Sequence, residues 1–333
     1  MSTTLDRQVT SSHTLPASPE VSQPETQTPT TSHDASERLQ ATTTAVRLRI
    51  RWPGVRKTLT AEFQQQAADT FSADSKSLRV SKKLLDTSHP AFRAATSVKT
   101  VAVDYWKRQT LPYIEPGVRL LRREDLPAFE MQLTSIQQEL DEAVEQLDRH
   151  YGELVQQARE RLGHLFDPAD YAPSLQPLFA IQWEYPSCDP PAYLLQVSPQ
   201  LYHAECARVQ QRFNEAVRLA EQTFAEELSQ LVQHLAERLQ TEPGETPKVF
   251  RDSAVTNLRE FFDRFQRLNI RSDEQLDGLV AQARQVLAST SPQQLREQAN
   301  LRSTVANELT RVEAALDGWL VDRPRRNIQR RAR

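Results

Sequence analysis

Glycine and cysteine are the scarce residues of this 333-residue chain. It has seven Gly, and no two lie closer together than Gly152 and Gly163. The dinucleotide fingerprint Gly-x-Gly-x-x-Gly and the phosphate loop Gly-x-x-x-x-Gly-Lys-Ser/Thr both need closer spacing, so the sequence excludes these two motifs. Two Cys cannot form a disulfide framework, and the N-terminus lacks the apolar segment of a signal peptide. We therefore expect a cytoplasmic protein.

Long apolar runs and catalytic motifs are also missing. No run approaches the ~18 apolar residues of a membrane span, so we expect no membrane contact. Among potential metal ligands, His203 and Cys206 share a helical face and Cys188 precedes them, but this set lacks a fourth ligand. The linear motifs of zinc proteases and serine hydrolases do not occur. The expectation is a protein that is not an enzyme, with no catalytic residue, metal or cofactor.

The charge is nearly balanced, at −3, but it is unevenly distributed. Residues 323–333 contain six Arg and no acidic residue, which leaves the rest of the chain acidic. A basic tail can neutralise nucleic-acid phosphates, contact an acidic partner or remain solvated. The alternative functional hypothesis is therefore a nucleic-acid-associated protein that uses the tail residues Arg325, Arg326, Arg330, Arg331 and Arg333.

The N-terminal region changes character near residue 39. Residues 1–38 are rich in Ser, Thr and Pro with few large apolar groups, which predicts a disordered tail. Residues 39–123 are predicted to form a small α/β base. In this base, an alternation of apolar residues with arginines predicts a strand with one buried face, the apolar residues being Val46, Leu48, Ile50 and Trp52.

Three further elements are predicted in the base. Short strands are expected within 55–61 and 77–81, and a helix over 92–110. The arginines of the main strand have two interpretations, either a basic stripe for an acidic ligand or a solvated strand face; they are Arg47, Arg49 and Arg51.

Residues 124–241 carry the strongest helical signal. Apolar residues recur every three or four positions over about 125–163 and again over 199–240. Each repeat predicts a long helix with one apolar stripe. Because the two helices match in length and are joined by a single insertion, we expect an antiparallel coiled-coil hairpin.

The insertion, residues 165–198, is rich in proline and aromatic residues. Its segments 179–185 and 192–197 are predicted as short strands of a tip structure. Aromatic side chains provide large contact area at low entropic cost, so the tip is a candidate partner-binding site. The residues concerned are Phe179, Trp183, Tyr185 and Tyr193; the alternative is that these rings only form a small core.

The C-terminal part, residues 242–322, is predicted to be a helical segment. It begins with a Pro- and Gly-containing break at 242–248. Apolar spacing then predicts helices over 255–268 and 276–287, and a last helix that starts at Ser291-Pro292. The predicted fold class is thus mainly α, with a long hairpin and its tip, a small β element near the N-terminus and this C-terminal segment.

A series of short motifs resembles a known family. They lie at 46–60, 84–86, 117–121 and 257–265, and the similarity covers about residues 45–290. The family they resemble is an uncharacterised bacterial and phage family, catalogued only as a domain of unknown function. Its members are encoded near MoxR-type AAA+ ATPases and von Willebrand A domain proteins, which the resemblance implies as partners. It implies no catalytic residue.

These observations favour a non-enzymatic helical scaffold or adaptor. It would engage protein partners, among them an AAA+ ATPase complex, through the tip of its hairpin. Homo-oligomerisation is a further expectation, because long amphipathic helices often expose more apolar surface than one hairpin can cover.

Overall fold

The computed structural model describes residues 30–240, 251–288 and 290–321. Residues 1–29 of the predicted tail, the predicted break at 242–248 and the basic tail at 323–333 lie outside this part. In the described residues the fold is mainly helical with a small antiparallel sheet, as predicted.

The first half of the chain mixes helices and strands. In order they are α1 Thr30–Thr42, β1 Thr43–Arg51, β2 Arg56–Thr58, α2 Ala61–Phe71, β3 Ser81–Lys83, α3 Pro90–Gln109, β4 Thr110–Pro112, β5 Val118–Arg122, α4 Leu126–Arg149 and α5 Tyr151–Leu162. The second half has a single described strand, and its elements are β6 Ala180–Glu184, α6 Tyr193–Val197, α7 Pro199–Leu239, α8 Ser253–Leu268, α9 Glu274–Ala288, α10 Pro292–Glu297 and α11 Ala299–Val321.

Four strands form one antiparallel sheet in the order β4-β5-β1-β6. The long strand β1 pairs with β5 through its first half and with β6 through its second, so Val46 lies opposite Arg119 and Ile50 opposite Ile181. Strand β1 confirms the predicted alternation, with Val46 fully buried. The strand predicted at 55–61 shortens to β2, and the one predicted at 77–81 lies slightly later, as β3.

Two hydrophobic cores lie on opposite sides of this sheet. Neighbouring residues of a strand point to opposite faces. Accordingly, Val46 and Leu121 join a core with α3, α4 and α5, whereas Ala45 and Leu120 join a core with α1, α7, α8, α9 and α11. Strands β1 and β5 are therefore buried on both faces at these positions.

The predicted disordered tail is wrong for residues 30–38. These residues belong to α1, whose Ala35 and Leu39 are buried in the α7 core. Two apolar residues four positions apart give too weak a pattern to predict a helix, but their burial against α7 stabilises one.

The predicted coiled-coil hairpin is not confirmed. The apolar positions of the first stripe are buried as expected, from Phe129 to Ala158, but those on α4 pack on α3 and β6. Those of α7 pack on α1, α8, α9 and α11 instead. Apolar periodicity identifies the buried face of a helix but not the element that packs against it. Here the stripe of α4 is buried on one side of the sheet and that of α7 on the other, so the two stripes do not pair. The first helix is also divided at His150 into α4 and α5.

The predicted tip is likewise different. Its first strand forms, but β6 joins the main sheet beside β1. The segment predicted as a second strand is the short helix α6.

In the C-terminal part, α8 and α9 match the predicted helices, and the last predicted helix is divided at Gln298 into α10 and α11. None of the described helices is long and apolar enough to cross a bilayer.

Candidate functional site

The four residues predicted to bind a partner lie in three different environments. Phe179 belongs to the core, where its ring meets Trp52 edge to face at a centroid distance of 4.5 Å and Phe92 at 6.5 Å. It is only 5% exposed. The structure thus favours the small-core interpretation for this residue.

Trp183 and Tyr185 lie on and just after β6 and share one acceptor. The indole Nε1 of Trp183 donates to a carboxylate oxygen of Glu130 at 2.7 Å, and the Tyr185 hydroxyl donates to the same oxygen. Burial, together with the Glu130 charge, raises the pKa of Tyr185 above its ordinary value. These contacts fix both side chains against α4, so the two rings have a structural role within the fold.

Tyr193 is different, because it begins an exposed apolar segment. Four large apolar side chains within nine residues are more than half exposed, namely Tyr193, Leu195, Val197 and Leu201. The other strongly exposed large apolar residues of the described chain lie at least eight positions apart. We refer to these four residues as the apolar segment.

The start of α7 explains why this segment is exposed. The Ser198 hydroxyl caps the helix by accepting from the backbone N–H of Leu201, and Pro199 occupies the first helical position. The first fully buried residue of α7 is Val209. The preceding turns, about 15 Å of helix at 1.5 Å per residue, contain only half-buried and exposed residues, and α6 contacts α7.

Two of the three arginines of β1 are paired within the protein. Arg47 and Arg49 donate to the same oxygen of Glu184 on β6, at 2.9 and 2.7 Å, and Arg47 also contacts Glu115. Hydrogen bonds from these arginines hold the pKa of Glu184 below its ordinary value despite some desolvation. Two of the three arginines therefore neutralise cross-strand carboxylates, which supports the solvated-face interpretation over a ligand stripe.

The two cysteines are free, and each contacts a tyrosine. Cys188 lies against Tyr113, whose pKa is raised by burial and then by the thiol, and Cys206 lies one turn after Tyr202 on α7. No group of three or more His, Cys, Asp or Glu side chains in the described ranges is placed to hold a metal ion.

The comparisons with known proteins return no match. This holds for family models, for curated proteins and for solved structures.

Sequence patterns indicate Tyr193 as a candidate but not its apolar neighbours Leu195, Val197 and Leu201. They assign 192–197 to a strand, in which alternate residues would be buried, and Leu201 to the hairpin. The signal that could have indicated these residues is the density of apolar residues just before and after the Ser-Pro start of α7. The buried residues of that helix begin only at Val209.

Proposed function

We propose that the protein is a non-enzymatic adaptor that binds another protein through the apolar segment. The observation that carries this proposal is the grouping of four exposed large apolar side chains on α6 and the first turn of α7. Single exposed apolar residues are normal on protein surfaces, whereas four within nine residues are a local concentration that favours an interaction site.

The energetics of such a contact are favourable. Complete burial of a Val or Leu side chain contributes about 1.5–3 kcal/mol, so these residues can offset part of the free-energy cost of association. Tyr193 adds an aromatic ring with a polar hydroxyl, a residue type enriched at interface centres. Since α7 continues for about 45 Å into the second core after Val209, the segment is anchored on a rigid element.

The partners that we propose come from the family resemblance. They are a MoxR-type AAA+ ATPase and a von Willebrand A domain protein, the two kinds of protein near which members of that family are encoded. Nucleic-acid binding by the basic tail remains the alternative proposal, supported by the six arginines and the absence of acidic residues in 323–333.

The test uses the full chain immobilised for biolayer interferometry, with each of the two purified partners titrated separately. We expect one of them to bind, and Leu195→Ser with Val197→Ser to weaken binding at least about tenfold, because interface anchors dominate binding energy. Met131→Ser is the matched control, since Met131 is 74% exposed on α4 and lies outside the apolar segment. It should leave the affinity unchanged.

Two outcomes would contradict the proposal in different ways. If neither partner binds the wild-type chain, the named partners are wrong. If a partner binds and the double variant binds equally well, the contact lies elsewhere on the molecule.

A further inference from the structure

A cavity of about 370 Å³ lies where α3, β4 and β5 meet α7 and α8. Four basic residues line it, together with two acidic ones; the basic residues are Lys107, Arg108, Arg119 and Arg264, and the acidic residues are Asp104 and Glu227. The lining therefore carries a formal excess of two positive charges in a chain whose net charge is −3. A neighbouring cavity of about 500 Å³ shares Arg108, Glu227 and Arg264 with it.

Arg119 on β5 is held in this cavity entirely by uncharged groups. Its Nε donates to the Thr110 hydroxyl at 2.7 Å, and its Nη2 donates to the Thr110 carbonyl at 2.8 Å. The guanidinium also lies over the Trp106 ring, 5.7 Å from the centroid. Within the described chain Arg119 has no carboxylate partner, and its Nη1 makes no hydrogen bond.

The surroundings of Arg119 disfavour the charged form of its guanidinium. Burial, and then the nearby charge of Arg264, lower the pKa of Arg119 to about 10. The fold nevertheless fixes this guanidinium on the strand with three backbone and side-chain acceptors. An anion in the cavity would compensate both the lost hydration and the repulsion between the two arginines.

The other basic residues differ in how far they are already neutralised. Arg264 is paired with Glu227, and Arg108 with Glu260 at 3.2 Å. Lys107, exposed on α3, makes no ion pair with any described residue. Arg119 and Lys107 are thus the two cations of the lining without a carboxylate partner in that part of the chain.

We propose that this cavity binds the phosphate group of a small anionic molecule, with Arg119 and Lys107 as its principal ligands. The free Nη1 of Arg119 and the ammonium group of Lys107 can each donate a charge-assisted hydrogen bond to a phosphate oxygen. The volume lies in the range of small-molecule sites and leaves room for an organic group beside the phosphate. This site is separate from the apolar segment and independent of the proposed adaptor function.

The test is isothermal titration calorimetry of the full chain with inorganic phosphate and, separately, with glycerol phosphate, at a fixed ionic strength set with sodium chloride. We expect saturable binding by the wild-type chain. Lys107→Gln should weaken it about tenfold or more, because a charge-assisted contact is lost while an exposed site leaves folding unaffected. Lys76→Gln removes the same charge from an exposed position outside the lining and is the control.

The outcomes separate clearly. Tighter binding of glycerol phosphate assigns an ester as the ligand, tighter binding of inorganic phosphate assigns the free anion, and either supports the site. Absence of saturable binding for both probes overturns the proposal. So does an equal effect of Lys107→Gln and Lys76→Gln, since that would indicate general charge screening. Arg119→Lys supplies a second variant, which keeps a positive charge but removes the Nη1 donor that the contacts with Thr110 hold in place, and it should also weaken binding.

Discussion

Asp170 shows how a single carboxylate joins separate parts of the chain. Its side chain is fully buried between Lys57 of β2 and Lys82 of β3, and Lys82 also donates to the Leu165 carbonyl at 2.6 Å. Burial by itself raises the pKa of Asp170, but the hydrogen bonds and charges of the two lysines outweigh it and hold the pKa below its ordinary value of 3.8. Strands β2 and β3, which pair with each other as a separate antiparallel ribbon, are thereby tied to the segment that follows α5.

This pKa has a defined consequence for stability. A carboxyl whose pKa is lowered by folding stabilises the protein above its unfolded pKa, and the contribution is lost as pH falls through the folded value. We expect Asp170→Asn to cost about 1–3 kcal/mol at pH 7, with the difference from wild type shrinking from pH 5 to pH 3. Urea denaturation at these three pH values measures it. Asp141→Asn, at an exposed position of α4, is the control, and a pH-independent difference for Asp170→Asn would contradict the assignment.

At the scale of elements, the sequence located the buried face of nearly every long helix. From Phe129 to Leu147 the predicted apolar positions of α4 are all buried, as are most of those on α7. What periodicity could not supply was the partner of each stripe. The possible partners of each helix have similar apolar surfaces. Which of them packs against it depends on the sheet, which places α4 and α7 on opposite sides.

The predicted hairpin and the observed separate cores imply different energetic coupling between α4 and α7. An antiparallel hairpin would place Ile136 of α4 close to Leu228 of α7, whereas the structure buries them in separate cores. We therefore expect a double-mutant cycle with Ile136→Val and Leu228→Ala to be additive within about 0.5 kcal/mol. The free energies of unfolding in urea give the cycle.

A positive control is available in the second core. Phe224 of α7 and Phe265 of α8 meet edge to face with ring centroids 5.0 Å apart. Their substitution to Leu, singly and together, should be clearly non-additive. Coupling between Ile136 and Leu228 of the same size as in this control would restore the hairpin and refute the separate cores.

At the scale of the whole molecule, the predictable and unpredictable features have different physical origins. The mainly helical class, the strand β1 and the helices α3, α8 and α9 follow from local periodicity. Helix α1, the merging of β6 into the main sheet and the position of Phe179 in the core depend on contacts between distant segments. The cationic cavity is of this second kind, since its Lys107, Arg119 and Arg264 come from three elements that share no linear motif.

The candidate partner surface could be predicted from the sequence only in part. The sequence indicated Tyr193 through the aromatic and proline-rich composition of its region, but it grouped Tyr193 with three residues that the fold uses internally. The surface that remains is smaller and differently composed, because exposure is decided by how far α7 extends before its core begins. We propose that this end of the molecule, α6 with the first turns of α7, binds a different protein.

Site-specific photo-crosslinking in the native host tests this claim most directly. A benzophenone amino acid replaces Val197 in one variant and Met131 in another, both at strongly exposed positions. We expect one discrete adduct with a heterologous protein from position 197 and none of that mass from position 131. The same adducts from both positions, no adduct from position 197, or an adduct only at twice the mass of this chain would contradict it.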